Sequence, residues 1–543
     1  MTSPATRPPC LLGPALLFAA CAVLLVLGMT RNLNVYDEGV ILTGAMRVAA
    51  GDIPHADFYA NYGPGQFYVL AALFKVLGTS AMVERLYDAL MRAAIVAILY
   101  AIVADVAGRR LAFACAAISF LWLYAVRLYG YPLIPVTLLC IAAAALIQPA
   151  LRGEDSRRRL FGAGACVGVA TLFRYDVGPV AFATLAAMLA WSAVTGTNGR
   201  ATAARRAVAS IGAFALGAIA AFVPVAVLYL SVAPLGRFVF DLFEYSIPNY
   251  ARMRSLPFPR PLDILADFDR IGVYLPMLAC ALAAASFIAA RPRASDRRDG
   301  FIATFALLAA TMYLKGLVRV GNAHLLASIL PSVVAITVLL PRVASQGRAL
   351  RIAAMFVAAV GVASAVTAAA VTAQRHIEDQ SSVLAKILAV AGSGSPWCPT
   401  PPELHNIECL LLDPDREAAA RIVATHTAPG ERIFVGLTRH DKVFISDITM
   451  YFATDRMPAT HWHHFDPGLQ TRADIQGEMI GELRRRAVRW AVLESAWDWI
   501  EEPNDSAKSS GVHLLDDYLR KHYRPVAKFG EISLWLRDPA IPG

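Results

Sequence analysis

Long apolar runs recur through the first two thirds of the chain, and nothing constrains its fold more. About eleven of them can span a bilayer at about 20 residues each. They lie near 10–29, 86–107, 110–129, 131–150, 159–174, 177–195, 207–233, 270–290, 301–319, 323–341 and 350–372. In hydrocarbon a backbone must satisfy its own N–H and C=O groups, so the runs read as helices. The pair 159–174 and 177–195 divides at Arg174-Tyr175-Asp176 into two helices with a very short turn. Composition agrees, with 57% hydrophobic and only 17% charged residues in 543; an ordinary soluble domain carries about 25% charged.

The gaps between runs set the orientation. Arg109-Arg110, Arg152 to Arg159, Arg200 to Arg206, Arg291 to Arg298 and Arg342 to Arg351 form basic loops at every second gap. Such loops face the cytoplasm. The N-terminus is then expected inside, and the 30–85 loop, the 234–268 loop and everything beyond about 373 outside. These arginines account for much of the net charge of +9, so it gives no reason to expect a nucleic-acid partner. The first run continues through Leu27-Gly28-Met29-Thr30-Arg31 without a small-residue cleavage site, and reads as an uncleaved helix.

The expected organisation is a membrane domain over 1–372, a linker over 373–410 and an α/β domain over 411–543. The tail shows a helix from Asp413 to Thr427, a strand at Arg432–Gly436 and a helix from Ala473 to Arg486. A strand follows at Val488–Leu493, then a helix from Val512 to His522 and a hairpin around Gly530. Six of the eight cysteines lie in or beside apolar runs. Cys398 and Cys409 lie outside, in or near a Pro-rich stretch, where either a disulfide or two free thiols fits the sequence.

The first external loop carries the densest chemistry. Asp37-Glu38 stands just past the first run, and Val40 to Ala50 has the spacing of an amphipathic helix suited to the interface plane. Phe67 to Leu77 is apolar but too short to cross. A carboxylate in a partly dry site can take a proton from a hydroxyl, and two neighbours can hold a divalent cation. The same pair also suits the N-terminus of the Val40 helix, with Asp37 as its cap; both readings stay open. His55 and Asp57 follow, as positioning groups or, His55 with Glu38, as weak metal candidates. Tyr59, Tyr62, Phe67 and Tyr68 suit the interface or a sugar ring.

Ionisable groups mark the outer helix ends: Arg85, Arg127, Arg174, Asp176, Lys315, Arg319 and His324. Charge at that depth is costly and pairs or functions, and guanidinium binds phosphate well. These cations suggest an anionic substrate; Arg174 and Asp176 also suit a local pair. The 234–268 loop holds Asp241, Glu244, Tyr245, Tyr250, Arg252 and Arg254, with the length of a lid. In the tail, His461-Trp462-His463-His464-Phe465-Asp466 reads as a surface that meets substrate or the membrane domain. A metal site is awkward there, because alternate residues of a strand face opposite ways.

Asp37-Glu38-Gly39, Gly51-Asp52-Ile53-Pro54, Tyr62-Gly63-Pro64-Gly65-Gln66-Phe67-Tyr68 and Arg85, in that order, resemble the GT-C superfamily of polytopic glycosyltransferases. Within it they are similar to bacterial enzymes of the dolichyl-phosphate-mannose protein mannosyltransferase type and to the aminoarabinose and core-sugar transferases of lipopolysaccharide. The resemblance covers the first 110 residues best. It implies an α-helical polytopic membrane protein with an external α/β domain, in a bacterial inner membrane. It implies a polyprenyl-phosphate sugar donor, a cell-envelope acceptor (lipid, polysaccharide or protein) and inverting displacement on the periplasmic side. The superfamily's catalytic acid falls on Asp37, with Glu38 beside it. Arg85, Arg174, Lys315, Arg319 and His324 are the phosphate candidates, and His55, Asp57, Tyr59 and Tyr62 the substrate-binding ones. Gly63-Pro64-Gly65 stands where related enzymes have Pro-Pro-Leu. A transporter or flippase of lipid-linked sugar is the alternative. It would use the same cations, but no inverted repeat is visible and it has no need of a surface carboxylate pair. A scaffold of envelope synthesis is a third.

Overall fold

The computed structural model describes residues 12–154, 156–195, 200–260, 268–290, 297–379, 381–387 and 401–540. The chain opens with α1 (Leu12–Gly28), α2 (Asp37–Ala49), α3 (Gly65–Leu77), α4 (Ala81–Ala107), α5 (Arg109–Ala125), α6 (Leu133–Leu146) and α7 (Gln148–Leu151). It continues through α8 (Arg157–Phe173), α9 (Gly178–Thr195), α10 (Arg200–Leu230) and α11 (Leu235–Val239). A π-helical turn (Phe240–Glu244) leads to α12 (Ser246–Arg254). Then come α13 (Leu275–Ala289), α14 (Arg297–Lys315), α15 (Asn322–Val343) and α16 (Arg348–Glu378). Each apolar run of the sequence is helical, and α8 and α9 are separate helices joined at Arg174-Tyr175-Asp176. Among the described residues, 7 helices are long and apolar enough to cross a membrane. The chain is a multi-pass membrane protein.

Small residues set the tightest helix crossing. A Cβ on Gly164 would stand 1.8 Å from the Phe214 carbonyl oxygen, and one on Gly217 would stand 1.9 Å from that of Phe161. Backbones of α8 and α10 therefore approach directly, as small residues permit in lipid. Most of α10 otherwise faces outward, with Val208, Leu216, Val227 and Leu228 exposed.

The tail adds α17 (Pro414–His426), α18 (Thr449–Ala453), α19 (Ala473–Arg485) and α20 (Leu514–His522). They surround a sheet of β1 (Arg432–Leu437), β2 (Met457–Pro458), β3 (Trp490–Glu494), β4 (Tyr523–Phe529) and β5 (Ile532–Arg537), in the order β2-β1-β3-β5-β4. β1 runs parallel to β2 and β3; β5 runs antiparallel to β3 and β4. The Asp413 side chain caps α17 by accepting from Arg416 N. β3 is buried along its whole length, as its unbroken apolar run requires of a central strand.

The helix at the end of the membrane domain runs on to Glu378, into the stretch expected as a linker. That stretch is tied down. Arg31 N donates to Ser381 O, and Leu411 N donates to Arg31 O at 2.7 Å. Leu33 N donates to Leu411 O at 3.2 Å, so both ends of the linker are stitched to the first external loop. One expectation changes: α2 presents no apolar face to lipid but is enclosed by protein. Every residue from Glu38 to Val48 is buried, and Val40, Ile41 and Phe67 share one apolar cluster with Val435, Tyr451 and Phe452 of the tail. An amphipathic pattern cannot say whether its apolar face meets lipid or protein; here it meets the α/β domain. Phe67 to Leu77 does form a short helix, α3, with Val76 and Leu77 exposed at its end. Cys409 is disulfide-bonded, and Cys398 lies outside the described residues.

Candidate active site

The N-terminus of α2 places two adjacent carboxylates in opposite settings. Asn34 supplies the cap: its Oδ1 accepts from Tyr36 N at 3.0 Å and from Asp37 N at 2.8 Å. Glu38 reaches back, its Oε2 accepting from Asn34 N at 3.0 Å, which completes a reciprocal arrangement of capping-box type. Asp37 is thus relieved of the capping role that its position suggested. Its carboxylate takes no hydrogen bond from any described residue and lines a cavity of about 530 Å³. Burial pushes its pKa up; Arg254 and Arg319 pull it down, and Asp466 pushes it up further, with a net rise.

Glu38 is committed elsewhere. Arg85 grips it through Nε at 2.6 Å and a terminal nitrogen at 2.8 Å, with both side chains 0% exposed. The same guanidinium donates to the carbonyls of Thr30 and Asn32 and lies 4.1 Å from the Tyr129 ring centre. Expected roles for Glu38 in catalysis and for Arg85 on a phosphate do not fit this geometry, because each saturates the other. Neither is Glu38 available with His55 for a metal. His55 Nδ1 is 2.9 Å from Asp241 Oδ2, and both side chains are 0% exposed. That pair fastens the first external loop to the π-helical turn. Asp57 accepts from Ile53 N at 2.7 Å and belongs to the turn, not to the cavity.

A second cavity of about 270 Å³ joins the first, sharing Asn61, Tyr62, Tyr131, Arg254, Arg319 and His324 on its walls. Arg174, Lys315, Arg319 and His324, expected from sequence as phosphate ligands, all line it, as do Tyr59 and Tyr62. They differ in what holds them. Arg174 forms a two-pronged bond to Asp176 at 2.9 and 2.6 Å and also reaches Tyr131 Oη. Burial pushes the Asp176 carboxyl up, and the Arg174 charge and hydrogen bonds outweigh it, holding the pKa at about 2. Arg319 forks onto Glu502 of the α/β domain at 2.9 and 2.6 Å. Lys315 and His324 make no hydrogen bond to any described residue. Of the lysine and arginine side chains expected from sequence to meet a phosphate, Lys315 is the one without a hydrogen bond to a described residue.

Sequence reasoning gave no individual role to Arg254, one of the charges of the 234–268 loop, or to Asp466, the end of the stretch read as meeting substrate or the membrane domain. Arg254 closes both cavities from α12, and Asp466 closes them from the α/β domain. Arg416, Phe444 and Trp497 complete the α/β wall beside Asp37. The histidine stretch before Asp466 meets the membrane domain: Tyr59 N donates to His461 O at 3.1 Å, and the Tyr59 ring lies 4.6 Å from that of His464. Burial holds His464 near a pKa of about 4 and His461 near about 3. Among the described residues, one His/acid group has ligand atoms close enough for a metal: Asp441, His513 and Asp516, in the α/β domain and away from these cavities.

The sequence model of the dolichyl-phosphate-mannose-protein mannosyltransferase family matches residues 61–229. The crystal structure of ArnT from Cupriavidus metallidurans bound to undecaprenyl phosphate superposes with a TM-score of 0.55, at 16% identity over 98% of this chain and 99% of that one. Its apo form gives 0.57 at 15% identity over the same shares. The archaeal oligosaccharyltransferase AglB from Archaeoglobus fulgidus, in complex with an inhibitory peptide and a dolichol-phosphate, gives 0.51 at 12% identity over 98% and 75%. The fold is GT-C-like. In this GT-C-like frame the bundle and the α/β domain together enclose the two joined cavities. No curated protein matches the sequence.

Proposed function

We propose that the chain is a membrane glycosyltransferase that moves a sugar from a polyprenyl-phosphate donor to a hydroxyl of a cell-envelope acceptor. One observation carries the reading: Asp37, a carboxylate without a hydrogen bond, borders a cavity that opens onto one containing Lys315, whose amine makes no hydrogen bond to any described residue. The first is equipped to receive a proton and the second to hold a phosphate. The mannosyltransferase-family match over 61–229 and the GT-C-like fold support it. The undecaprenyl phosphate of the ArnT structure supports a polyprenyl phosphate as the donor's lipid.

The donor phosphate sits by Lys315, with Arg174 and Arg319 adding field and His324 lining the same wall. The acceptor approaches along the wall of Phe444 and Trp497. Its hydroxyl oxygen attacks the anomeric carbon while Asp37 takes the hydroxyl proton. The bond from that carbon to the phosphate oxygen breaks, and its electron pair leaves on the phosphate. Attack from the face opposite the leaving group inverts the anomeric centre. Donors already aimed at the leaving charge need no rearrangement as it forms, and holding both reactants replaces much of the entropic barrier. The proposed reaction side is the periplasm of a bacterial inner membrane, with the N-terminus in the cytoplasm, a placement that the basic loops support.

Asp37→Asn tests the reading. Transfer, read as the mass of envelope glycans with and without the variant, should fall by at least about 100-fold. Binding of undecaprenyl phosphate by the purified variant should persist. Lys315→Met should lose that binding. Retained transfer by Asp37→Asn sinks the enzyme reading and leaves transport as the better account.

A further inference from the structure

Asp466 accepts more bonds than any other group at the cavity. Its Oδ1 takes the Tyr36 hydroxyl at 2.8 Å and an Arg254 nitrogen at 3.1 Å. Its Oδ2 takes the Tyr59 hydroxyl at 3.0 Å and the Asn61 amide at 3.4 Å. These donors come from the start and the middle of the first external loop and from α12, none from the domain that supplies the acid. Asp466 is itself anchored within that domain: its N–H donates to Gln470 Oε1 at 2.8 Å, and Gln470 Nε2 donates to His464 O at 2.9 Å. Of the charges acting on Asp37, Arg254 is the strongest attractor. Arg254 is kept from Asp37 by its bond to Asp466 and by its approach to the Tyr36 hydroxyl at 3.4 Å.

We propose that Asp466 is a positioning residue: the α/β domain inserts it to hold Arg254 and the Tyr36 and Tyr59 phenols, which leaves the Asp37 carboxylate unpaired and basic. The proposal rests on the reading of Asp37 as the base. Without Asp466, the buried Arg254 guanidinium loses its hydrogen-bonded counter-charge, and the Asp37 carboxylate, on the wall of the same cavity, takes that place. An Asp37 held in that ion pair is a poor proton acceptor, because an opposite charge within hydrogen-bond range stabilises its ionised form. Other groups facing Asp37 are Arg319 and His324 from the α14–α15 turn and α15, and Arg416 from α17. Arg416 is already held by Asp413, Asp447 and Glu494, and Arg319 by Glu502. The phenols of Tyr62, Tyr131 and Tyr250 complete the wall. That leaves Arg254 as the cation whose release alters Asp37.

The test is an infrared titration of the full-length protein in detergent, following the protonated-carboxyl band that disappears in Asp37→Asn. Asp466→Asn should move the Asp37 midpoint down by about one pH unit. Adding Arg254→Met to Asp466→Asn should bring it back up. Arg254→Met alone should raise it, which keeps the test available if Asp466→Asn fails to fold. A midpoint that stays put or rises in Asp466→Asn overturns the proposal and leaves Asp466 a packing residue, as does a double variant that titrates with the single one. No substrate enters this titration, so its failure is separable from that of the base reading, which falls only if Asp37→Asn retains transfer.

Discussion

Asp37 and Glu38 are neighbours in sequence and opposites in circumstance. Glu38 and Arg85 share a fully buried two-pronged bond, and removing one partner strands a charge in a dry interior. Glu38→Gln and Arg85→Met should each cost about 3–5 kcal/mol of stability, and the double variant less than the sum; thermal unfolding in detergent measures all three. Asp37 has no partner to lose, so Asp37→Asn should unfold at nearly the wild-type temperature. Its burial raises its pKa, and a base works only when ionised. Transfer should therefore be present at neutral pH and fall as pH drops through a midpoint above the ordinary aspartate value of about 3.9. A rate–pH profile with an acid limb at or below that value would contradict the placement of Asp37 in a desolvated cavity. The sequence made the carboxylate pair conspicuous. It did not say which member was free, because that depends on Arg85, 47 positions away, and on Asn34, whose capping signal three residues ahead was present but overlooked.

Helix α2 is the element on which the site turns. One side packs on α3 and the other on the α/β domain, where Thr43 Oγ1 donates to Ile448 O at 3.0 Å. Gly39 makes this closeness possible: a Cβ there would lie 2.9 Å from the Thr449 backbone nitrogen. Gly39→Ala should cost about 1–3 kcal/mol by overpacking and shift Asp37 relative to Asp466. Limited proteolysis should then cut the 381–411 connection sooner than in wild type. The sequence showed that α2 exists and is apolar. Its partner surface was hidden because helix periodicity reports a buried face without naming what buries it. The apolar runs were easier to read as helices, and 7 of the described helices are long and apolar enough to cross a membrane; the strands and helices of the tail fell close to their expected spans.

At the scale of the whole molecule, the α/β domain and the external loops form one body. Arg319 meets Glu502, Arg237 meets Glu478, Arg254 meets Asp466, and Asn504 Nδ2 donates to Ser255 O. Such long-range pairings carry no periodic trace, which is why Asp466 and Arg254 stood in the sequence as two charges among many. The basic loops predict that both domains' cavity walls lie outside the cell membrane. In a background lacking reactive cysteines, Trp499→Cys should react with a membrane-impermeant thiol reagent added to spheroplasts, and Arg205→Cys should not. The reverse pattern would put Asp37 in the cytoplasm and remove the premise of the proposed reaction.

The groups around Asp37 are drawn from Tyr36 at one extreme of the chain and Trp497 near the other. A polypeptide still leaving the ribosome already owns its proposed base and its lysine, but not the acid that restrains Arg254. Its pocket stays open to water until the last domain has been delivered and has folded back over the first loop. Under the proposed reaction, donor lipid met by such an unfinished molecule would go unspent, and transfer would begin only once the α/β domain has docked.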